Sequence, residues 1–167
     1  AWEGPRLVTS GPSFNGRSVT SPRQAAEMVR MQADAGYDFL KLHPGLEPDE
    51  FSALATAAHE VPIPFAGHVS FAVGLNAALQ AHQATIDHLD GYAEALIPPE
   101  SSQYGVQPQW FGVNLASAMD PARARSRPEY RPCRRLERAD PESAREHGWR
   151  QNAGGDAGAS LHGLCLR

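Results

Sequence analysis

Four short apolar runs, at 6–9, 37–42, 64–68 and 84–89, are separated by segments patterned as helices. This alternation constrains the chain more than any other feature. Strand-length runs joined through short helical connections imply a parallel sheet, since each strand is entered from the same end. Three of the runs close on a side chain able to bind a metal or carry a proton. These are Lys41 in Tyr37-Asp38-Phe39-Leu40-Lys41-Leu42-His43, His68 in Pro64-Phe65-Ala66-Gly67-His68, and His88 in Ala84-Thr85-Ile86-Asp87-His88. They lie 27 and 20 residues apart, intervals that fit one βα unit each.

The helical segments carry their own start and stop signals. Residues 6–9 read as a short buried strand ending at Ser10-Gly11-Pro12. Ser21 is placed as an N-cap, with Pro22 at the first helical position, Gln24 completing a capping box and Gly36 ending the helix. Ala25, Met28, Val29 and Ala33 then share one face. Pro48 opens a second helix that buries Phe51, Leu54, Ala55 and Ala58, and Ser70 is expected to start a third. Four such strands suit a doubly wound sheet or half of an eight-stranded barrel. No GxGxxG or GxxxxGK[ST] occurs, which removes the usual support for a nucleotide-binding sheet.

Composition divides the chain near Pro121. Residues 1–120 carry 5 basic and 13 acidic side chains, a net of −8, whereas residues 121–167 carry 10 and 6, a net of +4. The second part has no Val, Ile, Phe or Met and cannot build much of a core. Its arginines stand among Pro, Glu and Gly without interleaved aromatics, so no nucleic-acid partner is expected. Cys133 and Cys165 have neither CxxC spacing nor a ligand cluster. No apolar stretch is long enough to span a membrane and no signal peptide is seen. The absence of a targeting segment says little about location; a cytoplasmic one is the expectation.

Lys41 is the only lysine of the chain. A lone lysine closing an apolar run is a candidate for chemistry, because a buried ammonium readily loses its proton. In parallel barrels catalytic groups come from the C-terminal ends of several strands, where Lys41, His68 and His88 are placed. Side chains alternate along a strand, which puts His43 on the face of Lys41 and Asp90 on the face of His88. His43 and Asp90 are therefore candidate substrate-binding or supporting groups. His59 and His82, on helices, are read as structural.

Trp2-Glu3-Gly4-Pro5-Arg6-Leu7, the Tyr37–His43 run, Ala66-Gly67-His68 and Asp87-His88-Leu89-Asp90-Gly91 together resemble the metal-dependent amidohydrolase superfamily, in its imidazolonepropionase-like branch. The resemblance covers roughly residues 2–120. It implies an α/β fold, a partial (β/α)8 TIM-type barrel of about four parallel strands alternating with helices, corresponding to strands 3 to 6. A partial barrel at 1–120 would be followed by a poorly structured tail at 121–167. The implied site is binuclear: Lys41 carboxylated by carbon dioxide would bridge two divalent cations, zinc by donor type, and His68 and His88 would ligate the second. Such a pair polarises a carbonyl and acidifies water. The implied activity is hydrolysis of C–N bonds in a small amide or cyclic amide.

The family also carries a His-x-His pair on its first strand and an aspartate on its eighth, and neither has a match here. This chain is therefore expected to have little or no activity. The alternatives are a Schiff-base lyase or aldolase using Lys41 as nucleophile, or an inactive remnant. From about Ala124 onward the loss of bulky aliphatics and surge of arginine suit a reading-frame shift in a GC-rich gene, or else a disordered extension. Exposed edges of the outer strands would favour self-association.

Overall fold

The computed structural model describes residues 4–5, 7–109 and 112–126. Its centre is a parallel pair, β1 (Leu40–Leu42) and β2 (Phe65–Gly67), with Leu40 opposite Phe65 and Leu42 opposite Gly67. Single parallel bridges extend this pair on both sides, Ser10 to Phe39 and Phe14 to Leu42 on one, Gly67 to Ile86 on the other. The backbone bonds follow the same order: Phe14 N–H donates to Lys41 O, His68 N–H to Leu42 O, and Gly67 N–H to Thr85 O. Four consecutive segments thus lie side by side in parallel, and the sheet proper among the described residues has two strands.

Helices α1 (Pro22–Asp34) and α2 (Pro48–Glu60) fill the connections and pack on each other. Ser21 Oγ caps α1 by accepting from Gln24 N–H at 3.2 Å, and the Gln24 side chain accepts from Thr20 N–H at 2.8 Å. At α2, Glu47 and Glu50 form a reciprocal capping box that the sequence pattern did not single out. Leu40 and Leu42 join Val29, Phe51, Leu54, Phe65 and Phe14 in one apolar cluster. Each such side chain contributes roughly 1.5–3 kcal/mol on burial. Because side chains alternate, burying Leu40 and Leu42 leaves Lys41 half-buried on the opposite face.

Three expectations are corrected. The run at 6–9 is not a buried strand: Leu7 and Val8 are 80% and 64% exposed, and the side chain that enters the core from this segment is Phe14. The third helix, α3 (Leu75–Gln80), starts five residues after Ser70. Ser70 Oγ is already committed, accepting from Gly45 N–H and Leu46 N–H, and so ties two rim loops together. The strand at 84–89 ends at Ile86, where the chain turns into a short 3-10 segment, Asp87–Leu89.

Beyond Gly91, α4 (Tyr92–Ala95) is followed by an irregular loop, a 3-10 helix at Val113–Ala118 and α5 (Pro121–Ser126). Ile97 and Leu115 are its buried anchors. Helix α5 occupies the first residues of the segment set apart by composition. The expected short helices near Leu136 and Ala144 and both cysteines fall outside the described residues. Among the described residues no helix is long and apolar enough to cross a membrane.

Candidate metal centre

The rim formed by the ends of β1, β2 and the segment to Ile86 collects the charged groups. Lys41 projects from the middle of β1, and its Nζ donates to Asp87 Oδ2 at 2.5 Å. The two side chains are 27% and 30% exposed, so the pair is largely sheltered. Thr85 Oγ1 lies 3.5 Å from the other Asp87 oxygen. Burial works against the ionised form of Asp87. The hydrogen bond and charge of Lys41, with help from His68 and His88, outweigh it and hold the carboxyl below its ordinary value.

His68 follows β2 directly and stacks loosely between two other imidazoles. Its ring centre is 5.1 Å from that of His43 and 5.0 Å from that of His88. Its Nδ1 meets Asp90 Oδ2 at 2.9 Å, and the same oxygen accepts from Val69 N–H at 3.2 Å. A carboxylate on Nδ1 selects the tautomer whose Nε2 lone pair is open to a metal. Asp90 is thereby a positioning residue for His68. Glu94 stands behind this pair: burial, joined by the charge of Asp90 against opposing backbone hydrogen bonds, raises its carboxyl above the ordinary value.

His88 reaches the rim by an unusual backbone. Both His88 and Leu89 are left-handed, with φ of 54° and 60°. For residues other than glycine this conformation carries a cost of order 1–3 kcal/mol each. The turn places one donor atom each of His68, Asp87 and His88 within 4.8 Å of one another. Two imidazoles and an ionised carboxylate are a donor set that zinc accepts. The chemistry of these residues fits a divalent cation.

Two groups that shape the rim carried no recognisable sequence signal. Gly67 has φ of 126°, and a Cβ there would sit 2.4 Å from Leu42 O and 3.1 Å from Lys41 Nζ. Only glycine lets β2 approach β1 while Lys41 passes over it. Gln83 is fully buried and donates through Nε2 to Gly67 O at 3.0 Å and Thr85 O at 2.9 Å, stapling β2 to the fourth segment.

The structure brings Lys41, His68, His88, His43 and Asp90 to one rim. It adds Asp87, which strict alternation would have put on the face opposite His88. The left-handed turn is what overrides the alternation. No protein-family model and no curated protein matches this chain. It is similar to a solved structure, bottromycin amidohydrolase, at 32% identity and a TM-score of 0.41, over 48% of this chain and 17% of that one. The chain thus spans about a sixth of that protein's length, and a score this low carries neither fold nor activity across.

Proposed function

We propose that this rim is part of a metal-dependent hydrolytic site that acts on C–N bonds of small amides or cyclic amides. By itself this chain would have little or no activity, because the first-strand ligand pair and the eighth-strand aspartate are unmatched in it. The observation that carries the proposal is the His68–Asp87–His88 donor group at the ends of parallel strands, with Lys41 bonded to it. Divalent cations, zinc best suited by donor type, would supply Lewis acidity that polarises an amide carbonyl and acidifies water. His68 and His88 hold the site through ring nitrogens, Asp90 fixes the tautomer of His68, and Asp87 provides the anionic oxygen.

Lys41 is proposed to be carboxylated. The ammonium would first give up one proton, and carbon dioxide would then bond to the neutral Nζ with release of a second, turning a cation into an anion. That inversion would break the pair with Asp87 and free both oxygens for the cations. Hydrolysis then forms a bond from water oxygen to the carbonyl carbon, breaks the C–N bond and delivers a proton to the leaving nitrogen. The lyase alternative needs the same neutral amine, so the Asp87 partner opposes both reactions alike, and the two are told apart by what becomes bonded to Lys41.

Carbon-13 NMR of the chain with zinc and labelled bicarbonate tests this assignment. A carbamate resonance that is lost in Lys41→Met is expected. Borohydride trapping of a carbonyl compound on Lys41, with no carbamate signal, would overturn it in favour of the lyase.

A further inference from the structure

Two histidines away from the rim face one another. His59, in the last turn of α2, and His82, two residues beyond α3, have ring centres 6.4 Å apart at an interplanar angle of 57°. Both are exposed, and neither ring has a hydrogen-bond partner among the described residues. A histidine that serves structure spends a ring nitrogen on a protein partner. These two keep theirs open to solvent.

The backbone holds both rings in place. Helix α2 sets His59 beside the buried Phe65, ring centres 5.9 Å apart, which anchors one side of the imidazole. His82 stands where α3 ends in a Schellman turn: Gln83 N–H donates to Ala78 O at 3.0 Å and His82 N–H to Leu79 O at 3.1 Å. The turn needs a left-handed residue, and His82 supplies it with φ of 57°. Glycine adopts this conformation without steric cost. Histidine carries strain there, and what the position gains is an imidazole held opposite His59.

The spacing selects among cations. With metal–nitrogen bonds of about 2.0–2.1 Å, two imidazoles on one ion have ring centres roughly 5 to 6.5 Å apart, the longer spans belonging to ligands on opposite sides of it. The 6.4 Å between His59 and His82 is at the wide end. Opposed nitrogen donors suit the square-planar arrangement of copper(II) and nickel(II), not the tetrahedral one of zinc, and copper(II) is the tighter binder of the two. Zinc sites also use at least three protein donors. Glu60, beside His59, adds none, because it is bonded to Arg30 at 2.9 Å.

We propose that His59 and His82 form a second metal site, one that takes copper(II) in preference to zinc and clamps the end of α2 to the turn after α3. Between these helices lies an open hollow of about 330 Å³, lined from α2 by Phe51, Ala55 and His59 and from α3 by Ala77 and Gln80. The cation spans this gap at its His59 end, tying together the two connections that flank β2. Water completes its coordination. The site is independent of the hydrolase assignment at the rim.

Proton NMR of the 167-residue chain titrated with copper(II) tests this, because the unpaired electron broadens signals close to it. Copper is expected to broaden the ring signals of His59 and His82 together, both in the parent chain and in His68→Ala/His88→Ala, which lacks the rim donors. His82→Gly should weaken binding at His59 at least tenfold, since a second ligand on the same chain acts at high effective concentration. The metal-free urea midpoint of this variant should not fall below that of the parent, because glycine relieves the left-handed turn. Lost binding is then not lost folding. In the chain without rim donors, copper should raise the urea midpoint, and adding His82→Gly should remove that rise. Broadening confined to other histidines, or unchanged copper affinity at His59 in His82→Gly, overturns the site. Zinc that displaces copper from the pair at equal concentration overturns the preference for copper(II).

Discussion

The stretch from α1 to β2 and the stretch from Ala84 to Asp120 are built on different principles, and the candidate centre is shared between them. The first has two helices of 13 residues, each with a side-chain cap, and supplies most of the buried apolar cluster. The second has a helix of four residues, two 3-10 segments, and left-handed backbone at His88 and Leu89. Among its described residues the large buried apolar side chains are Ile97 and Leu115. Lys41 and His68 stand on the packed half, whereas Asp87, His88 and Asp90 stand on the lightly packed one. Two side-chain hydrogen bonds, Lys41–Asp87 and His68–Asp90, and the ring contact of His68 with His88 join the halves across the rim. The packed half fixes where the site is, and the other half completes the set of donors. Elements with few buried contacts open at lower free energy than a core does.

The contrast predicts where substitutions hurt. Leu54→Ala, in the middle of the cluster, should cost about 2–5 kcal/mol in urea unfolding. If Leu115→Ala cost the same or more, the two halves would not differ as described. Gly67→Ala should come next, at about 1–3 kcal/mol, from strain at positive φ. Its distinguishing sign is displacement of the Lys41 amine as well as loss of stability, visible as weakened pairing with Asp87.

A smaller effect comes from the contact across the rim. Asp87 has its carboxyl held below the ordinary 3.8, so its contribution to stability is present above that value. It is lost as pH falls through the lowered folded value. Asp87→Asn should flatten this part of the acid limb and cost about 1 kcal/mol or less at neutral pH, because the pair is partly solvated. An unchanged acid limb would mean that the halves are not coupled through Lys41. The smallest effect is expected at the exposed Arg30–Glu60 pair between α1 and α2. Arg30→Ala should change stability by roughly 0–1 kcal/mol, less at high salt.

The two halves were also unequally legible. In the packed half the caps, the buried faces of α1 and α2 and the register of Lys41 and His68 follow from apolar periodicity, which burial enforces. Ser70 misled because serine serves equally as a helix cap and as a tie between loops, and here two backbone N–H groups of the β1–α2 loop use it. Leu7 and Val8 misled because an apolar run says nothing of whether a partner covers it. In the other half, alternation was extended past Ile86, where the chain has already left the strand. It therefore missed Asp87 as a donor while still placing His88 at the rim. Asp90 was legible as a supporting group, but its partner, His68, lies 22 residues away and becomes visible only when the rim is assembled.

The central claim is that the two halves together hold a divalent cation. Zinc titration by calorimetry on the chain and on His68→Ala, Asp87→Asn and His88→Ala tests it most directly. The account predicts saturable binding by the parent chain, abolished by either histidine substitution and at least tenfold weaker for Asp87→Asn. Binding that survives both histidine substitutions, or a parent chain that takes up no zinc, would contradict it.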